Sequence, residues 1–549
     1  MTTIRYDDLV ESVAAALQYI SYYHPADYIA HLARAYEREE SPAAKDAIAQ
    51  ILTNSRMSAE GRRPICQDTG IVNVFLKIGM NVKWEGFGAH SIQEAVDEGV
   101  RRGYNNPDNK LRASVLSDPI FERKNTKDNT PAVVFMDVVP GDTVDVTVAA
   151  KGGGSENKSK VYMLNPSDNI VDWVLKTVPT MGAGWCPPGM LGIGVGGTAE
   201  KAALLAKESL MDDIDMYELL ERGPQNKLEE LRIELYEKVN ALGIGAQGLG
   251  GLTTVLDVKI KTYPTHAASK PIAMIPNCAA TRHAHFVLDG SGPSFLTPPS
   301  LDLWPDVHWA PDYNKSKRVD LNTLTREEVA SWKPGQTLLL NGKMLTGRDA
   351  AHKRIQDMLA KGEKLPVDFT NRVIYYVGPV DPVRDEVVGP AGPTTATRMD
   401  KFTDMMLSQT GLIAMIGKAE RGVAVGEFAE SAPEDIGVEP VAEVGLDLVG
   451  ALVGQGLERG GIDHGAGLEQ GRHLLVGQAL GHADEVARLL DVGGLVGGFE
   501  PGAALGGLDH HLVHVHAFCL GLGAAHELLH VGLAQAFAVQ VGIGPAGGF

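Results

Sequence analysis

Cysteine is scarce in this chain: four among 549 residues, at Cys66, Cys186, Cys278 and Cys519. No two stand in a CxxC pair, which excludes a local zinc knuckle, and so few thiols in so long a chain argue against a disulfide framework. Long apolar runs are missing as well. No stretch carries 18 uninterrupted apolar residues, so no membrane span is expected. The opening residues, MTTIRYDDLVESVAAALQYISYY, show amphipathic helical spacing with early acids. They lack the basic end and apolar centre of a signal peptide, and the expected location is the cytoplasm. Basic charge is also short: 50 Lys and Arg against 69 Asp and Glu leave a formal net charge of -19. That excludes nucleic acid as the main partner, because phosphate binding needs a basic face. Small anionic substrates remain open, since they need only a local cluster of Arg and Lys.

What is present reads as a soluble globular chain, 44% hydrophobic and 22% charged, too long for one ordinary core. Residues 1 to about 57 read as helices, with SPAAKDAIAQILTNS the clearest. From 65 to 289, strand-like runs such as AVVFMDVV alternate with amphipathic helices such as NKLEELRIELYEKVNALG, which predicts a mixed α/β domain. Residues 290–320 are rich in Pro and turn formers and read as a linker. A second α/β domain is expected over 321–422. There QTLLLNGKMLTG reads as a β-hairpin and RDAAHKRIQDMLAKG as a helix with a glycine stop.

Three of the cysteines sit in segments built for more than packing. Cys66, in RRPICQDTG, is followed by polar groups and a turn at Gly70. Cys186, in GAGWCPPGMLGIGVGG, lies between glycines that admit close backbone approach and prolines that fix the chain. Cys278, in KPIAMIPNCAATRHAH, ends an apolar run. Three thiolates on rigid loops can hold an iron–sulfur cluster. A [4Fe-4S] cube normally takes four, so with three one iron keeps an open position fit for substrate and Lewis-acid chemistry.

Seven blocks in order, ICQDTG, AKGGGSENKS, GWCPPGMLGIGVGGT, THAASKPIAMIPNC, LTGRDAAH, GPTTATRMD and IGKAERG, resemble class I fumarate hydratase, the iron–sulfur dehydratase family, from about residue 1 to 422. The resemblance implies an oxygen-sensitive [4Fe-4S] cluster on Cys66, Cys186 and Cys278. It implies reversible hydration of fumarate to (S)-malate in the tricarboxylic acid cycle, a small dicarboxylate as partner, and a homodimer. It assigns residues 1–289 to a cluster-binding domain and 321–422 to a catalytic domain, with the active site between them. By the family's pattern Gln67 and Asp68 contact the substrate, Asp68 exchanging a proton with the leaving water. Arg112, Arg348 and Arg398 match carboxylate-binding arginines, suited to it by their bidentate fork. Gly154 in KGGGS approaches the substrate, His266 faces it, and Lys418 matches the motif lysine. Thr394 matches the residue proposed as base, although a threonine hydroxyl is weak in that role without nearby cations. It serves equally as N-cap of the helix expected after it.

Competing readings stay open at this level. Tartrate or mesaconate dehydration is close chemistry, and a non-catalytic dicarboxylate-binding protein would use the same cations. GIGVGG formally satisfies GxGxxG, but no βαβ unit with a following acidic residue is evident, and packing of a strand onto a helix explains the glycines more simply. From 423 onward the sequence changes character. Residues 423–549 contain no Lys, Thr, Asn, Tyr, Trp or Met, yet hold 9 of the 17 histidines. Glycine recurs too often there for stable helices, and no clean period is present. The expectation is a GC-rich segment translated in the wrong frame, leaving the second domain truncated.

Overall fold

The computed structural model describes residues 2–417 apart from 308, 334, 335, 383, 385–388 and 393–395, together with the backbone of 444–445 and 538–540. Thr394, Lys418, Cys519 and nearly all of the segment from 423 lie outside the described residues. The fold is mixed α/β in two parts, dividing after Trp309.

The first unit opens with a short strand, Thr2–Arg5, paired in parallel with Val82–Glu85. Three helices follow, Tyr6–Tyr22, Ala26–Arg38 and Pro42–Gly61, over the region whose spacing predicts helices. Two four-stranded sheets form the body of the unit. In the first, the order is His283–Leu288, Val144–Lys151, Ile71–Gly79, Val133–Val139. One face of this sheet is apolar. Val72, Val74, Leu76, Val144, Val146 and Val148 point to it at period two and meet the helices Tyr6–Tyr22 and Ile92–Tyr104. The second of these helices starts on a capping box: the Ser91 hydroxyl accepts from the Glu94 N–H, and the Glu94 carboxylate accepts from the Ser91 N–H.

The second sheet runs Lys160–Leu164, Lys270–Asn277, Gly189–Gly196, Val255–Tyr263. Its inner strands are buried almost continuously because helices cover both faces. The glycines of GIGVGG belong to this packing. A Cβ on Gly194 would stand 2.0 Å from the Ala202 carbonyl oxygen, and one on Gly192 would stand 2.2 Å from that of Ala206. The strand therefore lies directly against the helix Ala199–Ser209, and the motif serves helix-on-sheet contact.

Register fixes which ends of these strands lie together. In the first sheet Ile71 pairs with Lys151, and His283 with Ala149. In the second, Met190 pairs with Asn277, and Lys160 with Met274. The chain crosses from the first sheet to the second through residues 152–159, and returns through 278–282. The same pair of sheet ends thus receives the loops 62–70, 152–159, 182–188 and 278–282.

In the second unit, Lys317–Asp320 pairs in parallel with Thr337–Asn341. Leu345–Thr346, Val373–Tyr375 and Ala414–Gly417 form a separate parallel ladder. Val444–Gly445 adds to that ladder, and Ala538–Gln540 adds to Thr337–Asn341. The expected hairpin over QTLLLNGKMLTG does not form. The chain turns at Gly342, at φ +108°, but Thr337–Asn341 and Leu345–Thr346 find parallel partners in different sheets. The expected helix over RDAAHKRIQDMLAKG is present as Asp349–Ala360. With Asp400–Thr410 it encloses a core of Leu345, Ile355, Ile374, Phe402, Met406 and Met415.

Candidate functional site

The loop bearing Cys66 is tied down on both sides. The Ile65 N–H donates to the Ser21 carbonyl at 2.8 Å, and Asn54 Nδ2 donates to the Ile65 carbonyl at 3.0 Å. Beyond it, the buried Tyr104 hydroxyl donates to the Thr69 carbonyl at 2.7 Å, and Asn129 Nδ2 donates to the Gly70 carbonyl at 3.0 Å. The Thr69 hydroxyl donates to the backbone carbonyl of Arg112, which fixes that half-buried residue beside the loop. Gly70 is at φ +84°, and a Cβ there would meet the Ala150 carbonyl carbon at 2.8 Å, so the turn brings the loop hard against the Val144–Lys151 strand.

Within this frame Cys66 and Asp68 are coupled. The Asp68 N–H points at Cys66 Sγ, 3.4 Å away. One Asp68 carboxylate oxygen accepts from the Gly70 N–H at 3.1 Å, and the other from the Gly153 N–H at 2.7 Å. The carboxylate is thus aimed by its own turn and by KGGGS. Residues Gly153–Glu156 make one turn of helix between the two sheets. A Cβ on Gly154 would lie 3.2 Å from the Gly184 carbonyl oxygen, so the glycine-rich turn touches the segment leading to Cys186. Gln67 is buried beside Cys66.

Cys186 takes φ +60°, and its carbonyl accepts from the Ala279 N–H at 2.9 Å. This bond joins the second cysteine loop to the third. Cys278 is held by its N–H donating to Asn277 Oδ1 at 3.2 Å, and Asn277 Nδ2 in turn reaches Thr281 Oγ1 at 2.6 Å. All three cysteines are half-buried. Burial pushes the Cys66 thiol up to about 11, with Asp68 and Cys278 acting in the same direction and Arg282 against them.

Two cations at this place were not singled out by sequence reasoning, although Lys151 stands inside a motif block and Arg282 just beyond one. Lys151 is fully enclosed and donates to the Pro276 carbonyl at 2.6 Å and to Ser155 Oγ at 2.7 Å. It therefore ties KGGGS to the strand that carries Cys278. Burial lowers it to about 8, with Lys207 adding and Glu156, Cys278 and Asp68 opposing. The other is Arg282, buried between Cys278 and the His283–Leu288 strand. The signal for both was position alone: each lies within four residues of a motif glycine or cysteine.

His266 is placed elsewhere. It is exposed, on the turn between Val255–Tyr263 and Lys270–Asn277. Cys278 follows the far end of the second of those strands, so eight extended residues, roughly 25 Å, separate His266 from the cysteine loops. Within one chain the structure does not bring it to Cys66, Cys186 and Cys278. In the second unit Arg348 is the N-cap residue of the helix Asp349–Ala360. The exposed Arg398 reaches Asp349 Oδ2 at 3.5 Å, which brings the two arginines to one helix N-terminus.

Three thiols on loops at one pair of sheet ends are the donor chemistry that an iron–sulfur cluster takes. Among the described residues no three His, Cys, Asp or Glu side chains are grouped to hold one ion.

The family model for fumarate hydratase (fumerase) matches residues 10–287, and the model for the fumarase C-terminus matches 290–432. The chain belongs to the class I fumarate hydratase family. It is 30% identical over 405 residues to the anaerobic class I fumarate hydratase of Escherichia coli, covering 71% of this chain and 72% of that one. It is 30% identical to fumarate hydratase 2 of Leishmania major, over 74% of this chain and 73% of that one. A Methanocaldococcus jannaschii protein named "Putative L(+)-tartrate dehydratase subunit alpha" is 38% identical over 268 residues, 48% of this chain and 91% of its own. The family is one of lyases, generally dependent on an iron–sulfur cluster. Residues 433–549 lie outside both family models. No described helix is long and apolar enough to cross a membrane.

Proposed function

We propose that this chain hydrates fumarate reversibly to (S)-malate, with a [4Fe-4S] cluster held by Cys66, Cys186 and Cys278. The observation that carries this reading is the gathering of the four motif loops at one pair of sheet ends, where Asp68 is bonded to Gly153 and Cys186 to Ala279. When bound, the cluster supplies Lewis acidity toward the substrate hydroxyl and a carboxylate. The protein supplies the rest. Asp68, aimed by two backbone N–H groups, moves the proton at the hydroxyl oxygen as water leaves or adds. Gln67, Arg112 and the backbone at Gly154 orient the substrate. Arg348, Arg398 and Lys418 bind carboxylate and offset the charge that develops as the C–H beside it ionises. Thr394 takes that proton, and His266 is left without a part in one chain's site. The setting is a cytoplasmic homodimer in the tricarboxylic acid cycle.

A second reading is favoured by one finding, the 38% identity to the tartrate dehydratase relative. Anaerobic reconstitution with iron and sulfide, followed by assays on fumarate, mesaconate and tartrate, separates the two. Turnover of fumarate by a brown protein supports the first reading. Turnover of tartrate alone moves the substrate, and a chain that takes up no iron sinks the cluster.

A further inference from the structure

Arg282 is 4% exposed. Its backbone is fixed, since its carbonyl accepts from the Ala150 N–H at 3.0 Å. Among the described residues its Nε has no hydrogen-bond partner, and no carboxylate stands within ion-pair distance of its guanidinium. Three other enclosed cations of the same unit are answered. Lys207 meets Glu156 at 2.5 Å, Lys259 meets Asp215 at 2.6 Å, and Arg232 meets Asp257 at 3.0 Å. A guanidinium cannot shed its proton to escape burial, so leaving it unpaired is strongly unfavourable. Such a group persists where something else brings the negative charge.

The surroundings of the guanidinium say where that charge would sit. A Cβ on Gly152 would lie 3.6 Å from Arg282 Nη2 and 3.4 Å from Asp68 Oδ2. The missing side chain therefore leaves room next to both groups, on the side of the glycine-rich turn. A cube on three thiolates carries net negative charge into an interior that holds few counter-ions.

We propose that Arg282 is a positioning residue for the cluster, whose buried guanidinium offsets the negative charge that the thiolates and cube bring to the Cys66 loop. The proposal rests on the reading that Cys66, Cys186 and Cys278 hold a cluster. Net charge and hydrogen bonding around the sulfurs set both affinity and reduction potential. A nearby positive charge stabilises the reduced cluster, so its removal makes the potential more negative.

The test compares the full chain with Arg282→Gln and Arg282→Lys after anaerobic reconstitution. Iron and acid-labile sulfide per chain, the rate of absorbance loss in air, and a redox titration followed by electron paramagnetic resonance are measured. Arg282→Gln is expected to retain the cluster about 10- to 100-fold less well, with a more negative potential. Arg282→Lys keeps the charge and should recover most of both. An Arg282→Gln protein with wild-type retention and potential overturns the proposal. So does one with a normal cluster and a raised KM for malate, which would move the arginine to the substrate. If Arg282→Gln does not fold, as judged by circular dichroism, the lysine variant decides. A folded Arg282→Lys that cannot hold the cluster refutes the charge argument. A wild-type chain that loads no iron overturns the cluster reading and this proposal together, which is a distinguishable outcome.

Discussion

Asp68 shows how little of a side chain's job is chemical identity and how much is aim. Its two oxygens are each claimed by one backbone N–H, of Gly70 and Gly153, which leaves it oriented beside Cys66. If it moves the proton in the reaction, Asp68→Asn should keep only one of these two bonds, since its amide nitrogen cannot accept, and lose the proton chemistry. General acid–base catalysis is worth about 10²- to 10⁴-fold, so kcat should fall by that factor with iron content unchanged. Iron analysis beside steady-state kinetics checks it, and unaltered kcat would remove Asp68 from the reaction. His24 carries a different expectation. It is buried against Tyr28, with Nδ1 2.7 Å from Ser55 Oγ. Burial, with the Arg282 charge adding, holds its imidazole down at about 3 against an ordinary 6.5. The unfolded chain binds a proton near 6.5 that the folded chain refuses until about 3. Stability from this group is therefore complete above the higher value and lost as pH falls through the interval. His24→Gln should flatten the fall in urea midpoint between those limits. An equally steep profile in the variant would show that other groups cause it.

Among elements, the Gly189–Gly196 strand is the one on which the site most depends, because the Cys186 loop enters it and the Asn277 end of its neighbour leaves toward Cys278. Its glycines let the helix Ala199–Ser209 rest on the strand backbone, with no room for a methyl group at Gly194. Gly194→Ala should destabilise the protein by about 1–3 kcal/mol, the usual cost of overpacking, and more if the helix cannot move away. Denaturant unfolding measures this, and wild-type stability would mean that the contact yields freely. The same strand shows why a motif must be read in context. GIGVGG matches a dinucleotide pattern by spacing, but what decides its meaning is the helix against its face.

For the whole molecule, the segment from 423 stands apart in composition. Its missing residue types and its crowd of histidines do not resemble the chain before it, and the C-terminal family match ends at 432. Reading the DNA across codon 422 in the other frames should reveal a lysine-containing continuation akin to the family. If the strands at 444–445 and 538–540 stand in for longer family strands, the chain as written should aggregate more readily than one carrying that continuation, because uncovered sheet edge and apolar surface associate. Tryptic peptides from residues beyond 432 in an active, cooperatively unfolding protein would defeat this expectation.

The sequence by itself determined the class of the fold, the local elements and the short list of reactive side chains. Helix caps such as Ser91 with Glu94, period-two burial in Val144–Lys151 and the turn after Cys66 are local properties, set by residues a few positions apart. The tertiary structure decided which of those side chains meet. Strand register joined loops more than 200 residues apart in sequence at one pair of sheet ends. It sent His266 to the opposite end of a strand whose other end leads to Cys278, a separation that no count of intervening residues reveals. It also placed Thr337–Asn341 and Leu345–Thr346 in different sheets, where the local turn signal alone predicts a hairpin. Pairing between distant strands is governed by which apolar faces can be buried together, and that choice belongs to the whole unit.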